Sequence, residues 1–234
     1  MLNKKSNETT LIILTRNEIN GLKAQMKKIP FSTFDECFAV DYKSTDGSVE
    51  FFRKNHIQVI KQKKPGRAEA FYLGVARAKG KYIAFFSPDG NEDPKDLPLL
   101  ITHLKKSNDL VIASRFIKGS RNEEDDKLFR FRAWANMLFT ILMNFVWQGN
   151  VTDSINGYRA IKKDKFLTLH LDAQGFAVEF QMTIRALKMG YKIYEIPTIE
   201  GDRIGGKSGS AAIPTGLQFV GLFLREILIG KHFT

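Results

Sequence analysis

The sequence predicts an α/β fold, an open and mainly parallel sheet sandwiched by helices. From residue 9 to about 115, short β-rich runs alternate with helix-compatible stretches, the rhythm of crossover units on one sheet. The polar residues able to carry chemistry follow the first, second and fourth of those runs, at the carboxyl rim where open parallel sheets bind ligands.

Taken in order, the strands are 10–15 (TLIILT), 36–41 (ECFAVD), 57–61 (IQVIK), 81–86 (KYIAFF) and 109–114 (DLVIAS). Helices are predicted near 17–28, 47–55, 67–79 and 94–106, with Asp46-Gly47-Ser48 and Asp93-Pro94 as start signals. Right-handed crossovers then build the sandwich. After residue 120 the rhythm changes. A charged stretch (RNEEDDK, 121–127) leads into an apolar helix, a loop, a helix near 176–189 and a strand at 192–199.

Two apolar stretches fall short of the roughly 18 uncharged residues of a membrane-spanning helix. Residues 134–147 carry no charge, but Asn136, Thr140 and Asn144 lie four apart and draw a narrow polar stripe on a greasy helix. In 211–230 the run is interrupted by Arg225 and Glu226, and Pro214 suits a helix start. Each is either an interfacial helix or a buried core helix.

The chain of 234 residues, 43% apolar, is long enough for one core. It reads as one domain over 1–210, including the helix near 130–147, followed by an amphipathic helix over 211–234. The single cysteine, Cys37, excludes an internal disulfide or a cysteine-cluster metal site. Without a signal-peptide pattern, this points to a cytoplasmic location. A net charge of +11 favours anionic partners: nucleic acid, lipid head groups or substrate phosphates. No RNP-like aromatic motif, zinc-finger spacing or long basic stripe is present, which argues against nucleic acid.

The rim turns are Thr15-Arg16-Asn17-Glu18, Asp41 through Ser48, and Ser87-Pro88-Asp89-Gly90-Asn91. Singly, Asp46-Gly47-Ser48 is either a cap or a site, and Pro-Asp-Gly either a β-turn or a site. Together, with His56, His103, His170 and His232 scattered, they suit a hard divalent ion held by oxygen ligands and bridging phosphates. The segment Lys63-Lys64-Pro65-Gly66-Arg67-Ala68 leads into a helix, and is either a diphosphate-facing turn or a solvated basic loop.

In this order the motifs resemble the GT-A glycosyltransferases of family 2, most of all the dolichol- and polyprenyl-phosphate sugar transferases, from Thr10 to about Ser210. LIILTRNEIN resembles the family's first strand with its Asn-Glu. VDYKSTDGS resembles its Asp-Asp-x-Ser-x-Asp-Gly turn, and FFSPDGNEDP falls where its metal-binding Asp-x-Asp lies. VIASRFIKGS, VTDSINGYRAIKKD and the stretch FAVEF…GDRIGGKSGS resemble its Gly-Ser-Arg-Tyr/Phe, Asp-x-x-Ser-Gly-Phe-Arg-Ala and closing Arg-x-x-Gly-x-Ser segments.

The resemblance implies an inverting transfer of a sugar from a nucleotide diphosphate sugar, GDP- or UDP-linked, to a polyprenyl or dolichyl phosphate. It implies Thr15, Asn17, Glu18, Asp41, Arg67, Ser87 and Lys207 as donor-binding residues. Asp89, Asn91 and Ser87 would hold Mg²⁺ or Mn²⁺, and Arg203, with Lys207, would neutralise the leaving diphosphate. Arg115 and either Arg130 or Arg132 would face the acceptor phosphate. Asp153 would line the site as the base a hydroxyl acceptor needs, or only cap the loop before Asn156-Gly157.

Ser87 stands where the family has the first Asp of Asp-x-Asp. Tyr42 and Lys43 replace the second acid and the Gly of the early turn. Ser87 weakens the expected hold on a cation, since ligand charge dominates affinity for hard ions. The resemblance also implies interfacial roles for 134–147 and 211–230. Because the sequence stops at Thr234 without transmembrane helices, peripheral attachment or a separate membrane protein partner is expected. The alternatives are a soluble glycan or other cell-envelope acceptor, and a catalytically silent relative that binds sugar nucleotides.

Overall fold

The computed structural model describes residues 8–126, 130–204 and 212–233. Its centre is a seven-stranded sheet of order β3-β2-β1-β4-β6-β5-β7. The strands are β1 (Thr9–Thr15), β2 (Glu36–Asp41), β3 (Gln58–Lys61), β4 (Tyr82–Phe86), β5 (Leu110–Ser114), β6 (Arg159–Lys162) and β7 (Ile193–Pro197). The helices are α1 (Ile19–Gln25), α2 (Ser48–Lys54), α3 (Arg67–Arg77), α4 (Leu97–Lys105), α5 (Phe131–Trp147), α6 (Lys163–Thr168), α7 (Ala177–Lys188) and α8 (Ala212–Ile229).

β1 pairs in parallel with β2 and β4, β2 with β3, and β5 with β7. β6 runs antiparallel between β4 and β5. This strand and the short α6 after it are absent from the sequence expectation: the four residues RAIK sit inside a loop-like motif and give no periodic signal.

β1 is buried along its whole length because it is central and covered on both faces. Ile12 and Leu14 join the core under α3 and α7, while Leu11 and Ile13 join the one under α1 and α4. Strand order reverses at β1, with β2 and β3 added on one side and β4 on the other. The ends Thr15, Asp41 and Phe86 therefore surround a topological switch point, with Thr15 paired to Asp41.

The stripe on α5 faces the protein, and its greasy face is the outward one. Thr140 Oγ1 lies 2.7 Å from Ser154 Oγ, and Asn144 Nδ2 donates to the Val151 carbonyl at 2.7 Å. Outward stand Trp134, Leu138, Ile141 and Phe145, the last 77% exposed. The core-helix alternative for 134–147 is thereby corrected. α8 behaves in the same way: Phe219 and Leu222 face inward, while Leu217, Leu224 and Leu228 face out.

Arg225 and Glu226 do not break α8; they dock it. Glu226 is fully buried and accepts from Gln181 Nε2 (2.9 Å), Arg185 Nε (3.0 Å) and Lys188 Nζ (2.6 Å) on α7. Arg225 reaches Asp172 at 2.6 Å. Rings of Phe139, Phe180, Phe219, Phe223 and Trp147 pack edge to face or tilted across the joint of α5, α7 and α8. Among the described residues no helix is long and apolar enough to cross a membrane.

Candidate active site

A cleft of ≈ 990 Å³ opens at the switch point and extends to α5 and α8. Its near end is built by hydrogen bonds between the turns after β1 and β2. The Asn17 N–H donates to Ser44 Oγ (2.8 Å), the Thr45 N–H to Asn17 Oδ1 (2.8 Å), the Glu18 N–H to Ser48 Oγ (3.1 Å) and the Ile19 N–H to Asp46 Oδ2 (2.9 Å). Asp46 also accepts from Ser48, at its N–H (3.0 Å) and hydroxyl (2.6 Å). Burial opposes its charge, yet these bonds win and hold its carboxyl below the usual range.

Thr15, Asn17 and Glu18 line this end, as does Tyr42, whose ring lies under the Arg16 guanidinium (5.3 Å to centroid) and the Lys43 ammonium (5.6 Å). Lys43 has φ +49°, a left-handed conformation that costs a side-chain-bearing residue about 1–2 kcal/mol. Asp41 does not reach the cleft. It is buried, accepts from the Ser44 N–H at 3.1 Å and from the Ser44 hydroxyl, and borders an adjoining depression with Lys43, Arg53, Lys61 and Lys63.

The turn after β4 lies against α1, where Gly21 is required: a Cβ there would collide with the Pro88 carbonyl. Asp89 Oδ1 accepts from the Asn91 N–H (3.1 Å), and Oδ2 from Arg203 (2.7 Å). The other arm of Arg203 donates to Glu18 Oε1. One guanidinium is thus held between two carboxylates. Burial raises the Glu18 carboxyl to about 7 and pushes Asp89 upward, with Arg203 opposing both shifts.

Backbone bonds seat the closing segment on the turn: Gly201 N–H to Asn91 O (2.9 Å) and Ile204 N–H to Asp89 O (2.7 Å). Gly90, at φ +102°, leaves room for Ile204, which a Cβ would approach to 2.6 Å. Asn91 Nδ2 donates to Glu123 Oε2 (2.9 Å) and the Gly201 carbonyl (2.8 Å). The Ser87 N–H donates to the buried Glu92 (2.7 Å), whose carboxyl burial raises well above normal.

Arg67 opens α3 after Gly66, at φ +113°, and donates to Glu179 and, at 3.3 Å, to Ser87 Oγ. Burial disfavours its charge, but Glu179 and Glu92 outweigh that and raise its pKa. Pro65, Gly66 and Arg67 border the cleft, whereas Lys63 borders the adjoining depression.

At the far end Arg115 holds Asp153 in a two-pronged pair, 2.7 and 3.0 Å, and reaches Glu200 at 3.4 Å. Asp153 is fully buried beneath Arg115, away from the cleft wall, and also accepts from the Asn156 N–H at 3.1 Å. Burial opposes its charge, but Arg115 prevails and keeps its carboxyl below the ordinary range. This geometry is contrary to the expectation of Asp153 as a base, since a hydroxyl acceptor has no access to it. Of the two alternatives at the start of α5, Arg132 borders the cleft, 4.0 Å from Glu123. Arg130 turns to Asp125 at 2.9 Å.

Glu124 Oε2 accepts from the Arg132 and Ala133 N–H groups, both 3.1 Å, and so satisfies first-turn donors of α5 from the charged stretch before it. Lys207 lies outside the described residues. Glu92, Glu123, Glu179 and Glu200 on the cleft wall are not among the residues that the sequence singles out, although each lies within a motif or charged stretch; only their spatial neighbours distinguish them.

Known proteins match this architecture. The model for glycosyl transferase family 2 matches residues 10–169. The undecaprenyl-phosphate mannosyltransferase of Micrococcus luteus is 27% identical over 210 residues, 84% of this chain and 85% of that one. The dolichol-phosphate mannosyltransferase of Pyrococcus furiosus is 26% identical over 211 residues, 86% of this chain and 58% of that one. In fold, the chain is similar to glucosyl-3-phosphoglycerate synthase from Mycobacterium tuberculosis, solved with Mn²⁺, UDP and phosphoglyceric acid. The TM-score is 0.73 at 19% identity, covering 97% of this chain and 79% of that one. The central sheet with its flanking helices is the GT-A arrangement.

Proposed function

Because the chain belongs to glycosyl transferase family 2, we propose that it moves a sugar, with inversion, from a nucleotide diphosphate donor to a polyprenyl or dolichyl phosphate at a membrane surface. One observation carries the proposal. A single cleft runs from Tyr42 past Asp89 and Arg203 to Arg115 and Arg132, and ends at Phe131, Phe139 and Phe219 on the two helices with apolar outward faces.

The near end suits the nucleotide, with its base on Tyr42 and cations from Arg16 and Lys43 beside it. Arg203 and Arg67 suit the diphosphate; Lys207 is a further candidate. Asp41, held by Ser44, supports the turn and contributes to donor binding through it.

The residues present fit a divalent cation. Asp89 and Glu18 already converge on one positive group, and the Asn91 amide nitrogen is engaged by Glu123 and Gly201. Asp89, with the oxygens of Ser87 and Asn91, would hold Mg²⁺ or Mn²⁺, the donor's phosphates supplying further ligands. Once bound, the ion would stabilise charge on the departing diphosphate.

In the transfer an anionic acceptor oxygen attacks the anomeric carbon from the face opposite the diphosphate. The new carbon–oxygen bond forms as the old one breaks, and the electron pair stays on the nucleotide's terminal phosphate. Arg203 neutralises that charge. Arg132 and Arg115 hold the acceptor phosphate, with Asp153 and Glu200 fixing Arg115 in place. A phosphate acceptor needs no strong base. The outward faces of α5 and α8 with the +11 charge favour peripheral attachment to an anionic surface, alone or beside a membrane protein.

A hydroxyl acceptor on a soluble glycan is the second reading, favoured by Glu200, a cleft carboxyl that burial raises above its usual range. The test is release of nucleoside diphosphate from UDP- and GDP-sugars with Mg²⁺ or Mn²⁺, with and without polyprenyl phosphate in detergent. Release that requires the lipid phosphate supports the proposal. Release stimulated only by glycans favours the second reading, and donor binding without turnover favours a silent relative.

A further inference from the structure

The turn after β4 folds back on its own beginning. Gly90 reverses the chain at φ +102°, and Glu92 returns to Ser87, where its Oε2 accepts from the Ser87 N–H at 2.7 Å. Its backbone is pinned from α1, since Gln25 Nε2 donates to the Glu92 carbonyl at 2.8 Å. Glu92 is 9% exposed and borders the cleft, and among the described residues only Ser87 hydrogen-bonds its carboxylate. A buried carboxylate without a counter-ion is costly, so a cleft that keeps one is matched to a cation that arrives with a ligand.

The cations nearby are committed elsewhere. Arg203 lies between Asp89 and Glu18, and Arg67 is paired with Glu179. Arg67 reaches Ser87 only at the hydroxyl, 3.3 Å away, and among the described residues Glu92 forms no ion pair. Residues 87–91 contain a single carboxylate, that of Asp89, because Ser87 stands where the family has its first Asp. The fold brings a second one to the same place from residue 92.

We infer that Glu92 restores the negative charge that Ser87 lacks, its carboxylate acting with Asp89 on the divalent cation that accompanies the donor's diphosphate. The inference rests on the metal reading above. No group of three or more acidic, histidine or cysteine side chains among the described residues is arranged to hold a metal, so the phosphates must complete the ion's shell. The two carboxylates repel those phosphates unless a cation stands between them. Glu92 therefore favours nucleotide with metal and does not favour nucleotide alone, a contrast that a merely structural glutamate would not produce.

The experiment measures by calorimetry the Kd of UDP and of GDP, with Mn²⁺ and with EDTA, for wild type, Glu92→Gln and Ser87→Ala. The amide keeps an oxygen for the Ser87 N–H and removes the charge. In wild type, Mn²⁺ should tighten binding of the nucleotide that fits. In Glu92→Gln that tightening should shrink by about tenfold or more, because affinity for hard cations follows ligand charge. The Kd in EDTA should stay the same or improve, since one repulsion has gone. Ser87→Ala removes a neutral group and should cost the Mn²⁺ effect no more than about threefold.

Full Mn²⁺ tightening in Glu92→Gln would overturn the inference and leave the metal reading intact. A loss in Ser87→Ala as large as that in Glu92→Gln would also overturn it, because the glutamate would then act only by orienting the serine. A wild-type protein in which Mn²⁺ tightens neither nucleotide would overturn the metal reading as well. If Glu92→Gln melts far below wild type, Glu92→Asp, which keeps the charge but withdraws it by one methylene, replaces it, and a loss confined to the Mn²⁺ measurements is again the expected result.

Discussion

Arg203 reaches back 114 residues to place a guanidinium nitrogen 2.7 Å from Asp89 Oδ2, while its other arm grips Glu18. The closing segment is thereby locked on the turn proposed to hold the metal, by charge as well as by the two backbone bonds to Asp89 and Asn91. Asp89→Asn keeps the size of the side chain and removes the charge. It should lower metal-dependent release of nucleoside diphosphate by at least about 100-fold in kcat/KM. A variant that retains near-wild-type rate and metal dependence would remove Asp89 from the site.

Glu18 makes stability depend on pH. Burial lifts its carboxyl from 4.5 to about 7, so the folded chain holds that proton more tightly than the unfolded one. Its contribution is complete below pH 4.5 and is lost as pH rises through about 7, and solvent screening of the partly exposed carboxyl holds it to on the order of 1–2 kcal/mol. Denaturant titrations at pH 4.5 and 8 should show Glu18→Gln gaining stability relative to wild type at the higher pH. An unchanged difference between the two pH values would contradict this.

Gly157→Ala would place a methyl against Arg67. Over-packing of this kind costs about 1–3 kcal/mol and forces the Arg67–Glu179 pair out of line. We expect kcat/KM to fall by about tenfold or more while the protein still folds, read by donor turnover beside a thermal melt.

Glu226→Ala would leave Arg185 and Lys188 buried against an empty place. Breaking one side of a buried pair costs about 3–5 kcal/mol. Urea unfolding should show a loss of that size, and limited proteolysis should cut α8 sooner than in wild type.

The outward faces of α5 and α8 should direct binding to anionic vesicles. Burying one large apolar side chain is worth about 1.5–3 kcal/mol, so Phe145→Ser with Leu228→Ser should weaken cosedimentation by more than about tenfold. Both side chains are strongly exposed, 77% and 85%, so the melting temperature should hardly move. Unaltered vesicle binding would detach these faces from the membrane.

Most strands were legible because a buried parallel strand needs a short apolar run wherever it lies in the fold, as in TLIILT and KYIAFF. The rim turns were legible for the same local reason: Asp46-Gly47-Ser48 caps α2 and Asp93 caps the turn after it through Lys95 at 3.0 Å. β6 was not legible, since its identity comes from the antiparallel slot between β4 and β5 rather than from its own four residues.

By itself the sequence determined the α/β alternation, the carboxyl-rim location of the polar turns and the two-faced character of 134–147 and 211–230, all of which follow from periods of a few residues. Tertiary structure alone decided that Arg203 pairs with Asp89 and Glu18, that Asp153 lies beneath Arg115, and that the polar stripe of α5 turns toward Ser154 and Val151. A stripe states that a helix has two faces, and a charge states that it needs a partner. Which face meets the protein, and which partner arrives, depends on contacts between residues far apart in the chain.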